Sequence, residues 1–276
     1  MLLFALAAAS IGSASIFVRL SMASPTACAF WRLFIASLLL VTFSRRVEVA
    51  SLKKVAYPLI AGVALAAHFV LWMDSLFRVP VAVSTVIVVS YPIYLVAVEL
   101  ARGEKPRVTK VAGMAMGFLG VAILSMSVLE SGAQASIIGV AESFIASIMV
   151  AVYFYTGRAT RNAMKLGDYL LLTYSTASVV VLAYSFIIGD NVFSYLPRSW
   201  PWLLALAVVP MMGGHTTMNY LLRFYKASTV TSISLTEPIT ASILAAIILG
   251  EVLRPIHAAA LLLAVAGLTL VVREEL

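Results

Sequence analysis

The side chains able to do chemistry in this chain come in two matched sets. In the first, His68, Trp72 and Ser75 stand at i, i+4 and i+7 and would share one face of a helix. In the second, His215 and Asn219 repeat the first two positions. Each set is followed by a proline behind a functional side chain: Tyr91-Pro92, then Glu237-Pro238. Imidazole, indole, phenol, amide and carboxylate can all bind a polar solute. None of them sits in a catalytic pattern. There is no His-Glu-x-x-His, no cysteine pair, no Gly-x-Ser-x-Gly and no P-loop. The expectation is a binding site in a protein that is not an enzyme, with no metal and no cofactor.

The two sets are in register. The histidines lie 147 residues apart, as do Gly103-Glu104 and Gly250-Glu251, and the prolines lie 146 apart. A repeat at just over half of 276 residues is an internal duplication. The elements that carry it are set by composition. The chain is 62% hydrophobic and 11% charged, too few charges to cover a soluble domain of this size, where about 25% is usual. Lipid is the expected solvent.

Apolar stretches long enough to span a bilayer fall at about 2–20, 26–44, 56–77, 81–101, 108–127, 136–157, 168–189, 201–223, 229–249 and 256–272. The first has no charged leader and no cleavage site, so it is expected to be a retained helix. The single Cys28 leaves no internal disulfide. The predicted fold is an all-α integral membrane protein of ten transmembrane helices. Five helices per half is an odd number, so the halves, 1–132 and 133–276, must enter the membrane in opposite senses. They form two inverted five-helix repeats in one transmembrane domain.

With the N-terminus inside, fourteen Lys and Arg face the cytoplasm and four, Arg19, Arg78, Arg198 and Arg254, face outward. That asymmetry predicts cytoplasmic N- and C-termini in a multi-pass protein of the plasma membrane. It also accounts for the net charge of +7 without a nucleic-acid partner.

Depth sharpens the site. A lone intramembrane His often only hydrogen-bonds a neighbouring helix. Two at equivalent places of an inverted repeat point to one shared central space. Pro92 and Pro238 each deprive a carbonyl four residues back, at Val88 and Ser234, of its helical donor. Such carbonyls call for a wet cavity. Glu237, near mid-bilayer, should be protonated, paired or facing water. Arg32 is expected to be structural, paired with a carboxylate such as Glu142 or snorkelling outward. Asp74 and Arg78 should pair within one helix, and Glu99 should be interfacial. Gly113, Gly117 and Gly120 give the fifth helix a flat face for close packing, within the monomer or between monomers.

These residues resemble the drug/metabolite transporter superfamily, in its EamA-type ten-helix members. The resemblance covers essentially the whole chain. It is carried by Ala29-Phe30-Trp31-Arg32, by Ser90-Tyr91-Pro92 with Gly103-Glu104, by Thr236-Glu237-Pro238 with Gly250-Glu251, and by Gly120 and Gly267. It implies a carrier. Members export amino acids; others in the superfamily carry sugars, nucleotide sugars, phosphorylated sugars or cationic drugs. The two histidines are not a hallmark of the family, so their role rests on the repeat.

The expected activity is therefore secondary transport by alternating access, in the export direction, of a small polar metabolite such as an amino acid. A proton is a possible coupling ion. The third, fourth, eighth and ninth helices should line the cavity, with the first and sixth alongside and the fifth and tenth at the periphery. Trp72 and Tyr91 would supply aromatic surface, and His68, His215, Asn219 and Glu237 polar contacts. One alternative is a cationic-drug or quaternary-amine exporter with Glu237 on the cation. A phosphorylated-sugar antiporter fits less well, because the central face shows no basic residue beyond histidine. The alternative of another class is a scaffold or subunit that transports nothing.

Overall fold

The computed structural model describes residues 2–42, 52–129, 136–160, 163–249 and 255–273. Gly250-Glu251, Arg254 and the 132/133 repeat boundary lie outside them. Among the described residues there is helix and no strand. The α-helices are α1 (Leu2–Ile11), α2 (Ala14–Ser21), α3 (Pro25–Val41), α4 (Leu52–Arg78), α5 (Val81–Val88), α6 (Tyr91–Ala101) and α7 (Val108–Leu129). They continue as α8 (Ile137–Thr160), α9 (Leu166–Ile188), α10 (Trp200–Leu206), α11 (Thr217–Leu221), α12 (Ala227–Thr231), α13 (Glu237–Leu249) and α14 (Pro255–Arg273).

The runs Leu2–Ser21, Val55–Arg78, Val83–Ala101, Ile137–Thr160 and Leu166–Ile188 are each long and apolar enough to cross a membrane. Pro25–Val41, Val108–Ile123 and Ala258–Arg273 are shorter apolar helices. Leu2, Val108, Ile137, Phe186 and Ile187 point outward almost fully exposed. An outer surface this apolar is solvated by hydrocarbon. The protein is a multi-pass membrane protein.

Local chemistry sets where the helices stop and bend. Ser24 opens α3 by accepting from the Ala27 N–H at 3.2 Å, with Pro25 at the first helical position. Gly189 closes α9 in the left-handed region at φ 71°. The two repeated proline sites are breaks rather than kinks. α5 ends at Val88 and α6 begins at Tyr91, just ahead of Pro92. Between α12 and α13 the chain tightens into a 3₁₀ stretch, Ser232–Thr236, just ahead of Glu237-Pro238. There the Ser234 carbonyl is not left free, because the Glu237 N–H donates to it. The 3₁₀ winding supplies the donor that Pro238 lacks.

A third break was not foreseen. The 201–223 segment is no simple α-helix: Ala207–Thr216, between α10 and α11, is π-helical and contains Pro210. Proline cannot donate, and the wider winding accommodates the missing bond. Gly213 and Gly214 let this stretch sit against α1. A Cβ at Gly213 would come 2.7 Å from Ser10 Oγ, and one at Gly214 2.5 Å from Ile11 Cγ2.

Residues from the two ends of the chain interlock. α4 lies against α8 and α9, α3 against α9, and α1 against the π stretch. The interior is lined with small side chains such as Ala61, Ala64, Ala146 and Ala177. The glycine face of α7 finds its partner within the chain, on α14. A Cβ on Gly113 would lie 2.6 Å from the Gly267 carbonyl, and one on Gly120 2.6 Å from that of Ala260. A Cβ on Gly267 would collide with the Gly113 carbonyl. The helices therefore touch backbone to backbone.

Candidate functional site

The broken helices converge on one small cavity. α4 supplies His68, Phe69 and Trp72 to its wall; the α5–α6 joint supplies Val88 and Tyr91. The π stretch and α11 supply His215 and Met218, and α13 opens into it with Glu237. Ile11 and Ala14 of the first segment, Val150 of α8 and Arg32 of α3 complete it. The space open to water is about 20 Å³, room for about one molecule.

Five of the six residues singled out as binding residues, His68, Trp72, Tyr91, His215 and Glu237, thus meet at one place. Asn219 does not reach the cavity wall. Its amide donates to the Tyr153 hydroxyl at 2.6 Å and back to the His215 carbonyl at 2.8 Å. It holds the end of the π stretch rather than a face of the cavity. Ser75, on the helical face of His68, is also spent internally, on the Trp72 carbonyl and Ser84.

The walls are aromatic. His68 stacks on Trp72 with planes 2° apart and centroids 6.1 Å apart, and faces His215 at 6.4 Å. His215 stacks on Phe154 and meets Phe69 edge-on. Tyr91 also stacks on Phe154. His68 Nδ1 lies 3.0 Å from the Ala146 carbonyl. A carbonyl can only accept, so this nitrogen carries the proton and the ring is fixed in orientation.

Arg32 is the cavity-lining residue the sequence reading misplaced. It does not pair with Glu142, which contacts Arg78 at 3.3 Å, and it does not snorkel. It is 1% exposed, lines the cavity and lays its guanidinium over the Phe69 ring at 4.1 Å. Glu237 lines the same cavity. The central face is therefore not free of basic residues. The signal was present in the sequence: an arginine within an apolar span, and no outward carboxylate on its own helix. Glu99, near the end of α6, is buried between helices, bonded to Lys110 at 3.3 Å and to the Ser228 hydroxyl. Nearby, Lys226 and Glu104 pair at 2.7 Å, and the ammonium holds the Glu104 carboxyl below its ordinary pKa. Asp74 and Arg78 do pair, at 2.6 Å.

A lipid-facing exterior around a polar, aromatic-walled centre defines a membrane protein with a polar cavity inside its helical bundle. The chain belongs to the EamA-like transporter family, whose model matches residues 1–126 and again 137–273. It is 21% identical over 252 residues to an uncharacterized transporter of Archaeoglobus fulgidus, covering 90% of this chain and 87% of that one. A solved crystal structure shares the fold, with a TM-score of 0.79 at 15% identity, over 99% of this chain and 97% of that one.

Proposed function

We propose that this protein is a secondary transporter that exports small polar metabolites, amino acids foremost, by alternating access around the central cavity. The observation that carries the reading is the meeting of two histidines, an arginine, a carboxylate and aromatic rings at one place, on helices from both ends of the chain. Family membership supports transport over a passive scaffold. The present space admits about one water, so a solute enters only when the walls part.

The architecture supports the same reading. Taken in order, α1 with α2, α3, α4, α5 with α6, α7, α8, α9, α10 through α11, α12 with α13, and α14 would make ten spans. The proline breaks at Tyr91 and Glu237 would then occupy matching places in two inverted five-helix repeats, 1–132 and 133–276. The two family matches fall on either side of that boundary. Asn219 keeps a part in this proposal by positioning His215. The aromatic walls would also suit a quaternary ammonium, the reading in which a cationic drug is exported; Arg32 in the same wall repels such a ligand.

Protein reconstituted in liposomes and loaded with each of the common amino acids should exchange at least one of them against external label, above protein-free vesicles. Exchange of no amino acid would overturn the assignment.

The orientation follows from the basic residues: both termini cytoplasmic, in the plasma membrane. Reporter fusions at the C-terminus should score as internal, and fusions in the 190–197 loop as external. An external C-terminus would refute the odd-numbered repeat.

A further inference from the structure

We infer that Arg32, with the Trp72 indole N–H and His215, forms a carboxylate-binding subsite, so that the carried solute is a zwitterion with its carboxylate on Arg32 and its ammonium on Glu237. The inference rests on the transport reading above and narrows it to one class of substrate.

The cavity wall holds buried polar atoms with nothing to bond. Among the described residues, Arg32 Nε and Nη1, Trp72 Nε1 and His215 Nδ1 all lack a hydrogen-bond partner. Their residues are 1%, 3% and 8% exposed, and all three line the same space. Leaving a buried polar group unsatisfied costs about 1–3 kcal/mol, and native proteins rarely leave several together. Stacking on Phe69 orients the guanidinium plane but engages none of its N–H groups.

Counting donors identifies the missing partner. Arg32 Nε, Arg32 Nη1 and Trp72 Nε1 can only donate. One water, all that fits, accepts about two hydrogen bonds and cannot serve three donors. A carboxylate offers about four acceptor sites on two oxygens, and its flat fork matches a guanidinium edge. His215 Nδ1 can add a further donor in the tautomer that carries its proton there.

Charge then selects among carboxylate-like ligands. Glu237 faces the same space. A phosphate ester, carrying close to two negative charges, would meet one arginine and an opposing carboxylate. A bare amine would meet Arg32. An α-amino acid presents opposite charges a few bonds apart and satisfies both residues at once.

The test uses the full chain in detergent, followed by thermal shift, and in liposomes, followed by counterflow. The probes are the common amino acids, their carboxamides, the corresponding decarboxylated amines, and glucose 6-phosphate. The expected result is stabilisation and exchange by at least one amino acid, with its amide and its amine at least about tenfold weaker, a difference of ~1.4 kcal/mol. Trp72→Phe keeps the ring and removes the donor, and Arg32→Lys keeps the charge and removes the fork. Each should weaken the amino acid about tenfold. Trp72→Phe, the milder change, decides the matter if Arg32→Lys does not fold. Amides or amines that bind and exchange as well as the acid overturn the subsite while transport stands. So does a preference for the sugar phosphate, or wild-type affinity in Trp72→Phe. If no amino acid binds or exchanges, the transport reading fails and the subsite with it.

Discussion

Glu237→Gln should leave a protein that inserts, purifies and melts as the wild type does, yet moves its substrate at least about tenfold more slowly, a loss of ~1.4 kcal/mol or more. The side chain keeps its shape and its hydrogen-bonding capacity and loses only the ability to ionise. That ability matters because Glu237 opens α13 directly into the cavity, just after a 3₁₀ stretch and opposite a buried arginine. In a liposome assay the variant should also lose the pH dependence of flux if Glu237 is the group that carries the coupling proton. A purely structural carboxylate predicts the reverse pattern: near-normal flux in whatever protein folds, and a lower melting temperature because Arg32 has lost its opposing charge. Wild-type flux with wild-type pH dependence would refute a transport role.

Gly267→Val should be the most damaging single change outside the cavity. The Gly113 carbonyl occupies the space a Cβ would need, and the Gly117 backbone lies next to it. Backbone cannot swing aside as a side chain can, so α7 and α14 must separate along their length. Overpacking of this kind costs about 1–3 kcal/mol, with lost dispersion contacts along the seam in addition. The expected outcome is a fall of several degrees in melting temperature and reduced yield of folded protein. Leu262→Val, on the same helix but facing outward, should be close to neutral. Equal melting temperatures for the two variants would show that the seam does not contribute to stability.

Much of this arrangement was legible before any coordinates. Composition alone announces a lipid-facing helical protein, and the doubled His and Pro positions point to the centre where His68, Trp72, Tyr91, His215 and Glu237 meet. What escaped did so for physical reasons. Pro210 looks like any membrane-helix proline; the sequence does not show that ten residues around it take up π winding, with Gly213 and Gly214 packed on Ser10 and Ile11. Such contacts come from distant sequence. Asn219 mirrors Trp72 by position, yet a half-turn of altered winding upstream directs it to Tyr153 instead. Arg32 was expected to pair with Glu142 or snorkel outward on the strength of depth, because distance along a helix says nothing about which face it lies on until the neighbours are known. Gly113 announced close packing but not its partner, since a flat face suits α14 and a second copy equally well.

The ties at the two ends of the bundle have an electrical consequence. At one end Glu99 holds Ser228 and Glu104 holds Lys226. At the other, Arg78 holds Glu142, and Asp190 and Val192 accept from Ser24 and Trp31. Between them the central cavity holds space for about one water. A sodium ion or a hydronium caught in such a passage would have to shed nearly its whole hydration shell against aromatic walls. On the proposed transport reading, the tied form would therefore hold back ions, and solute would move only with a change of shape.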